Sequence, residues 1–394
     1  MLTSIFPKYE GDTNGIFIYN NAAALSEAGV EVYVVTPSAE DTKEFEIING
    51  INIYRYRYWF TKKHQRVAYG LGIHENLNKS MLAKIQLPFF LISYLWRGLI
   101  VARRCNIIHA QWIQSAYPGL LAKRLFKIPV MISVRGSDIR FFAKGFVMRR
   151  VTKFILDRAD QIFSQGPGET RLIQDLGNYD IIDIHNPLEK EMFNPDIPTE
   201  RLKKEFNLRD ERIVSFIARL EEKDVDFFTF IEAIPIVIKQ VTNVKFFIVG
   251  DGPLKTTVEN RIEEKNLNEF VIITGNRNDV NAFHAATDIF VNLRKFENLW
   301  NNTLIEALAS GCACIVGDVG EVSNHLTHLE NIFLVPPKNH KKLADAIILL
   351  LKNKNLRRTL GKNARSYIAQ NQFYKNEVVE KLITFYSDAI TYRY

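Results

Sequence analysis

Cysteine is nearly absent: the chain of 394 residues holds only Cys105, Cys312 and Cys314. The last two stand in a C-x-C rather than a C-x-x-C spacing, so neither a disulfide framework nor a zinc site is supported, and a reducing cytoplasm fits. Long apolar runs are missing as well. The most apolar stretch, Ile85 to Val101, is broken by Pro88 and Arg97, which leaves too short a span for a membrane helix but not for one lying on a membrane. No basic segment followed by an apolar one opens the chain, so no secretory leader is expected. No helix-turn-helix, zinc or RNA-recognition signature accompanies the basic residues, which sets nucleic acid aside as a partner.

What is present is ordinary globular material, 47% hydrophobic and 24% charged, enough for two cores of roughly 150 to 200 residues each. The charge is uneven. Residues 51–150 carry eighteen Lys and Arg against Glu75 and Asp138, a net +16, which leaves −9 for the rest of a chain whose total is +7. With the aromatics of YRYRYWF at Tyr54 to Phe60, this region reads either as solvated faces or as a surface for an anionic membrane or acceptor. Peripheral association through residues 51–150, at the inner face of the membrane, is the corresponding expectation.

Short apolar strands alternate with amphipathic helices along the whole chain. In the first half, strands are expected at Leu2 to Phe6, Val30 to Thr36, Ile107 to Ala110, Pro129 to Val134, Gln161 to Ser164 and Ile181 to Ile184. Helices are expected at Ile16 to Ala28, Leu91 to Arg103, Gly119 to Phe126 and Gly168 to Leu176. The second half repeats the order with strands at Ile213 to Ile217, Lys245 to Val249, Val271 to Thr274, Asp288 to Asn292, Cys314 to Gly317 and Ile332 to Val335. Its helices are expected at Phe227 to Gln240, Leu254 to Lys265, Val280 to Ala286, Thr303 to Ser310 and Lys341 to Lys352. Such alternation implies two doubly wound parallel sheets with ligands at the strands' carboxyl ends. The organisation read from the sequence is a first domain over 1–187, a linker over 188–206, where prolines and mixed charge break the periodicity, a second domain over 207–374, and a last helix over 375–394 returning to the first domain.

Three stretches carry the chemistry: VNLRKFENLWNNTLIEALASG (Val291 to Gly311), FIARLEEKDVD (Phe216 to Asp226) and FFIVGDGPL (Phe246 to Leu254). Arg219 and Lys223 follow an apolar strand, a glycine turn at Gly250 and Gly252 ends the next, and Glu306 lies on a helix with a polar start. Two cations with a helix N-terminus suit a diphosphate, and a carboxylate one or two turns along suits a ribose or sugar hydroxyl. The combination reads as a nucleotide-sugar site.

The succession ARL-x-x-K, IVGDGP, a strand closing in TGN, EALASG and CIVGDVG resembles the donor half of retaining GT-B glycosyltransferases, in particular glycosyltransferase family 4 (group 1). In the first half, FPKYEGDTNGIF is similar to that family's opening glycine loop, HAQW (His109 to Trp112) to its H-x-H-W element, RGSD (Arg135 to Asp138) to its H-G-x-D element, and IHNPLEKEMFNP to its interdomain segment. The resemblance runs nearly end to end. It implies a GT-B fold of two Rossmann-like domains facing a central cleft, and transfer of a hexose from a UDP- or GDP-type donor to a glycan or lipid-linked acceptor, with retention and without a metal ion or other cofactor.

On the same resemblance, Arg219, Lys223 and the amides around Thr303 and Leu304 are aimed at the diphosphate, Glu306 holds the ribose, and the backbone of Gly275, Asn276 and Arg277 reads the base. Gly15 approaches the diphosphate, Gly250, Gly252 and Asn302 complete the donor side, and His109 and Arg135 stand near the reacting carbon. Trp112, Gly136, Ser137, Asp138 and Asn186 form the acceptor side. A phosphate oxygen of the leaving group takes the acceptor's proton, so no protein base is needed.

The departures from that pattern are specific. The carboxylate expected eight residues before Glu306 is Asn298, with Glu297 one residue further off; either the loop carries an insertion and Glu297 serves, or an amide replaces the acid. Arg135 stands for a histidine, and an arginine can grip a sugar carboxylate or an acceptor phosphate bidentately. Asp224 stands for a glycine and Gln111 for a second histidine. A short first strand leaves it open whether Met1 is the natural start. Rival readings are a dinucleotide-dependent dehydrogenase, which fails because Lys255 occupies the third glycine position of G-x-G-x-x-G, a nucleotide-sugar 2-epimerase, and a nucleotide-sugar-binding protein that has lost catalysis.

Overall fold

The computed structural model describes residues 1–391 except Thr13, Leu71, Ala143, Lys144, 222–224, 296–299 and Glu321; the side chains of Ser137, Phe141 and Phe142 are likewise left aside. The chain divides into two compact units, Met1–Pro187 with Lys375–Tyr394, and Leu188–Tyr374.

In unit 1 the strands are β1 (Tyr33–Pro37), β2 (Phe45–Ile48), β3 (Ile51–Tyr56), β4 (Ile108–Gln111), β5 (Val130–Ser133), β6 (Gln161–Ser164) and β7 (Ile181–Asp183). They run β2-β3-β1 and β4-β5-β6-β7, all pairs parallel but the β2–β3 hairpin. Leu2 closes the gap between the two groups, bridging both Val35 and Ala110. The helices are α1 (Ile16–Glu27), α2 (Ile73–Lys79), α3 (Met81–Ala102), α4 (Tyr117–Phe126), α5 (Gly136–Phe142), α6 (Phe146–Leu156) and α7 (Pro167–Gln174). One face of the sheet is covered by α3, α4 and α7 through Phe90, Tyr94, Ala122 and Ile173. The other is covered by α1 and the C-terminal helix through Ile18, Leu25, Val378 and Leu382.

Unit 2 is a six-stranded parallel sheet, β10-β9-β8-β11-β12-β13, made of β8 (Arg212–Ile217), β9 (Val244–Val249), β10 (Val271–Gly275), β11 (Ile289–Asn292), β12 (Ala313–Gly317) and β13 (Phe333–Val335). Before them runs α8 (Glu200–Glu205), and between and after them α9 (Phe227–Ile238), α10 (Lys255–Glu264), α11 (Val280–Ala286), α12 (Asn302–Ala309), α13 (Val322–His325), α14 (His340–Lys352) and α15 (Lys354–Gln370); α16 (Lys375–Thr391) belongs to unit 1. The central strands are buried on both sides, which is why they read as unbroken apolar runs rather than alternating ones. Phe216, Phe246 and Ile248 serve one core, and Phe247, Val249 and Phe290 the other. Asp226, Asn339 and Asn353 cap α9, α14 and α15 by accepting the N–H groups of Thr229, Lys342 and Leu356.

Several expectations are corrected. The strand Leu2 to Phe6 shrinks to Leu2, because Thr3 turns its hydroxyl onto the Ile5 carbonyl (2.8 Å) and the chain leaves the sheet. The helix expected from Leu91 begins at Met81 and passes through Pro88 without a break, so a continuous apolar helix of 22 residues exists where Pro88 was read as an interruption. Burying Ala83, Gln86, Phe90 and Tyr94 offsets the proline's cost of about 3 kcal/mol. Part of the basic aromatic run at 54–60 is internal: Arg55 is fully buried, 3.1 Å from Glu46 and donating to the Pro7 carbonyl at 2.6 Å, with Tyr56 and Tyr58 buried beside it, while Arg57 and Phe60 are exposed. Residues 188–206 do not form a free linker, since Leu188 and Leu202 are buried in the second unit's core and α8 lies among them.

The helix α16 is held by apolar packing plus a Lys375–Glu27 contact at 2.8 Å. Leu382→Ala should therefore lower the unfolding free energy of unit 1 by about 2–5 kcal/mol in urea titrations, while the exposed ion pair contributes little.

Candidate functional site

In unit 2 the groups collect at the carboxyl ends of β8, β9 and β10 and at the start of α12. The turn after β9 crosses directly over the segment Ala218 to Leu220. Leu220 N–H donates to the Asp251 carbonyl (3.0 Å), Leu254 N–H to that of Leu220 (3.0 Å), and Gly250 N–H to that of Gly275 (2.9 Å). No side chain fits at the crossing: a Cβ on Gly250 would lie 2.0 Å from the Ala218 oxygen, and one on Gly252 2.5 Å from the Leu220 oxygen. Gly250 also has φ of 139°, a conformation that side chains disfavour. The glycine turn thus fixes the backbone from which Arg219 projects.

Arg219 is itself more than half exposed, with Nε 2.5 Å from Glu221 Oε1. Lys223, Glu297 and Asn298 lie outside the described residues, as does Asp224. Asn276 is exposed beside Gly275. Arg277 forks onto Glu205 (2.6 and 2.9 Å) and Asp279 (2.8 and 2.8 Å), so its side chain is committed within the protein and only its backbone is left for a ligand.

At the start of α12, Asn301 Oδ1 accepts the Thr303 hydroxyl (2.8 Å) and the Leu304 N–H (3.2 Å). This corrects one expectation: Leu304 is fully buried and its amide is spent on the cap, leaving Asn302 and Thr303 as the forward residues. The capping Asn301 is missing from the sequence-derived set, although an Asn directly before a helix is an ordinary capping signal. Glu306, one turn on, places Oε2 3.4 Å from Nε2 of His284, an ion-pair distance without the alignment of a hydrogen bond. His284 is fully buried on α11, edge-on to Phe193 and Phe290, and its carbonyl accepts the Cys312 thiol at 3.1 Å. No sequence pattern marks it. Farther along the sheet a cavity of about 260 Å³ is lined by Arg294, Lys295 and Lys338, cations the sequence reading also passed over.

In unit 1 the expected residues meet at the carboxyl ends of β4 and β5 and after β7. Arg135 is buried, its guanidinium 4.3 Å over the Phe17 ring and 5.8 Å from the Trp112 ring. Nη2 donates to Gln111 Oε1 (2.7 Å) and Nη1 to Asn186 Oδ1 (3.2 Å), while Nε, also buried, has no hydrogen-bond partner. Burial lowers its pKa to about 10, against the opposing fields of Asp138 and Glu169. Gly15 precedes α1 with φ of 73°, and a Cβ there would lie 3.1 Å from the Ile5 oxygen, so glycine suits the turn into the helix that carries Phe17 to Arg135.

Two expected functional side chains turn out to be structural ties. His109 is buried with Nδ1 2.6 Å from the Tyr386 hydroxyl and Nε2 2.8 Å from the Ser133 hydroxyl, and burial drives its pKa down to about 3. It is a neutral link between β4, β5 and α16, with both ring nitrogens already engaged within the protein. Asp138 accepts the backbone N–H groups of Ile113 (2.7 Å), Arg135 (2.9 Å) and Ile139 (2.7 Å), holding Trp112 and Arg135 in register instead of meeting an acceptor. Gly136 lets α5 pass close to Glu169, whose Oε1 would be 2.5 Å from a Cβ there. The side chain of Ser137 is outside the described set.

Two family models match, "Glycosyl transferase 4-like domain" over residues 15–185 and "Glycosyl transferases group 1" over 198–367. The chain belongs to the group 1 glycosyltransferases. This glycosyltransferase is 25% identical over 302 residues to the N-acetyl-alpha-D-glucosaminyl L-malate synthase of Bacillus anthracis, covering 74% of this chain and 77% of that one. It is 23% identical to the alpha-monoglucosyldiacylglycerol synthase of Acholeplasma laidlawii, covering 95% and 92%. Among solved structures, Anabaena Alr3699/HepE in complex with UDP and glucose superposes with a TM-score of 0.74 at 15% identity, covering 96% and 97%, which shows the GT-B fold.

Gly250→Ala in this glycosyltransferase should cost about 2 kcal/mol or more of unit 2 stability, read as a lower urea midpoint, because the backbone beneath cannot recede. Burial raises the Glu169 pKa from the ordinary 4.5 to about 7. The folded state therefore binds more protons than the unfolded one between those values, and stability falls as pH rises through them. Glu169→Gln should be more stable than the parent at pH 8, with the difference fading towards pH 4.5, measured by urea midpoints across that range.

Proposed function

We propose that this protein is a retaining glycosyltransferase that takes a hexose from a UDP- or GDP-sugar and passes it to a glycan or lipid-linked acceptor in cell-surface polysaccharide or glycolipid synthesis. The observation that carries the reading is the backbone frame in unit 2 that ties the Arg219 segment to the Gly250–Gly252 turn and Gly275, with the Asn301-capped α12, which bears Glu306, following β11 of the same sheet. Alr3699/HepE, similar in fold, binds UDP and glucose, which supports a nucleotide-sugar donor.

When the sugar–phosphate bond breaks, negative charge gathers on the diphosphate, and a cation aimed at it is worth most in that state. Arg219 can turn from Glu221 to the diphosphate cheaply, because an exposed ion pair is worth only about 0–1 kcal/mol. Lys223 is assigned to the same task. Glu306, steadied by buried His284 on one oxygen, offers the other to the ribose hydroxyls. The leaving phosphate receives the acceptor's proton, so neither a protein base nor a metal ion has a step in this scheme. Arg135 is assigned to a carboxylate or phosphate on the sugar or its acceptor, on the strength of its buried, unpartnered Nε.

The decisive experiment is a thermal-shift panel of UDP, GDP, CDP, ADP and NAD, followed by donor turnover. A nucleoside diphosphate at 100 times its dissociation constant should stabilise by about 2.7 kcal/mol, and Glu306→Ala should lose the shift. Arg219→Ala should lower turnover on the order of a hundred- to thousandfold. A shift with NAD alone would overturn the reading. Nucleotide binding without any glycosyl product would favour the inactive binding protein that Arg135 and Asn298 first suggest.

A further inference from the structure

We propose that the outer face of α3, together with the Trp59–Phe60 turn beside it, is an interfacial docking surface for an anionic lipid bilayer. On that face Met81, Ile85, Phe89, Ile92, Trp96 and Ile100 are 41 to 70% exposed. They recur at intervals of four, four, three, four and four, which aligns them in one stripe along a helix of about 33 Å. The stripe broadens near its middle, where the Trp59 ring lies 5.5 Å from that of Phe89 and 5.0 Å from that of Phe60, itself 83% exposed. A continuous apolar surface of this extent is a docking surface rather than scattered exposure.

The helix is long and apolar enough to span a membrane, but its other face shows that it lies flat. Gln86, fully buried, accepts the Arg66 N–H (2.8 Å) and donates to the His64 carbonyl (2.8 Å), and the Tyr94 hydroxyl donates to the Ser115 carbonyl (3.3 Å). Pulling α3 into a bilayer core would strip these bonds and the sheet of unit 1 behind them. Only the stripe is left to enter an interface.

Charge selects the occupant. Neither α3 nor residues 57–66 contain an Asp or Glu, while Lys84 borders the stripe, Lys62, Lys63 and Arg66 sit on the turn that Gln86 ties to α3, and Arg103 and Arg104 follow the helix end. An apolar stripe with a basic margin matches acyl chains below and anionic headgroups around them. A second copy of this chain would bring like charges face to face instead. Docking needs no nucleotide, so this proposal and the donor-site reading stand or fall separately.

The test is flotation of the full chain with phosphatidylcholine vesicles, with and without about 30 mol% phosphatidylglycerol. Binding is expected to the anionic vesicles only. Ile92→Ser with Trp96→Ser, and separately Lys63→Glu with Lys84→Glu, should each weaken it about tenfold or more while keeping the parent's melting midpoint and nucleotide-induced shift. No binding by the parent, equal binding to neutral vesicles, or undiminished binding by the folded serine variant would overturn the proposal. So would a parent dimer that the serine variant converts to monomer, since the stripe would then face another copy.

Discussion

Two backbone crossings without room for a side chain govern the second unit's site. Where the β9 turn lies over Ala218 to Leu220, the contacting atoms are main chain on both sides, so the positions of Arg219, Gly250 and Gly275 are fixed by hydrogen bonds whose length no side chain can alter. Each such bond contributes only about 1 kcal/mol net, yet together they join the ends of three strands into one frame. The cost is conformational: two glycines forgo side chains, and one holds a backbone angle that other residues avoid. A frame of this kind fixes the backbone while leaving the Arg219 side chain exposed, held by its contact with Glu221.

The first unit reaches a comparable arrangement by a different route. Its strand ends are held by buried polar side chains, the neutral ring of His109 between Tyr386 and Ser133 and the Asp138 carboxylate under three amides. These are residue types that, read along a chain, suggest acid–base chemistry. Burial decides otherwise: a histidine whose pKa is near 3 and whose nitrogens are both occupied has no proton to move at neutral pH. These satisfied groups hold the frame, whereas Arg135 beside them keeps a buried Nε without a hydrogen-bond partner.

What could be read from the sequence follows from the range of the interaction. Gly250, Gly252, Glu306 and the strands around them lie in short apolar runs closed by turns, a local signal that survives without any partner. His284 beneath Glu306 could not be read, because the contact joins two helices 22 residues apart and neither carries a mark of it. Pro88 misled for a related reason. A proline is a strong local stop, and the burial that overrides it involves Ser115 and the sheet, far along the chain. Arg55 looked like a surface cation until the hairpin placed Glu46 opposite and the Pro7 carbonyl above it.

The two departures in the first half, glutamine at 111 and arginine at 135, look independent in the sequence and are one change in the structure. A guanidinium buried over Phe17 must find acceptors, since it has five N–H donors and no acceptor of its own. Gln111 supplies a carbonyl oxygen 2.7 Å from Nη2, and unlike a histidine it does so whatever its protonation. Exchanging Arg135 alone for histidine would leave the amide of Gln111 facing a ring too short to reach it; exchanging Gln111 alone would leave a buried cation short of a partner, the costlier error. The pair therefore has to be replaced together to approach the family's common pattern, because Gln111 and Asn186 together hold the guanidinium in place.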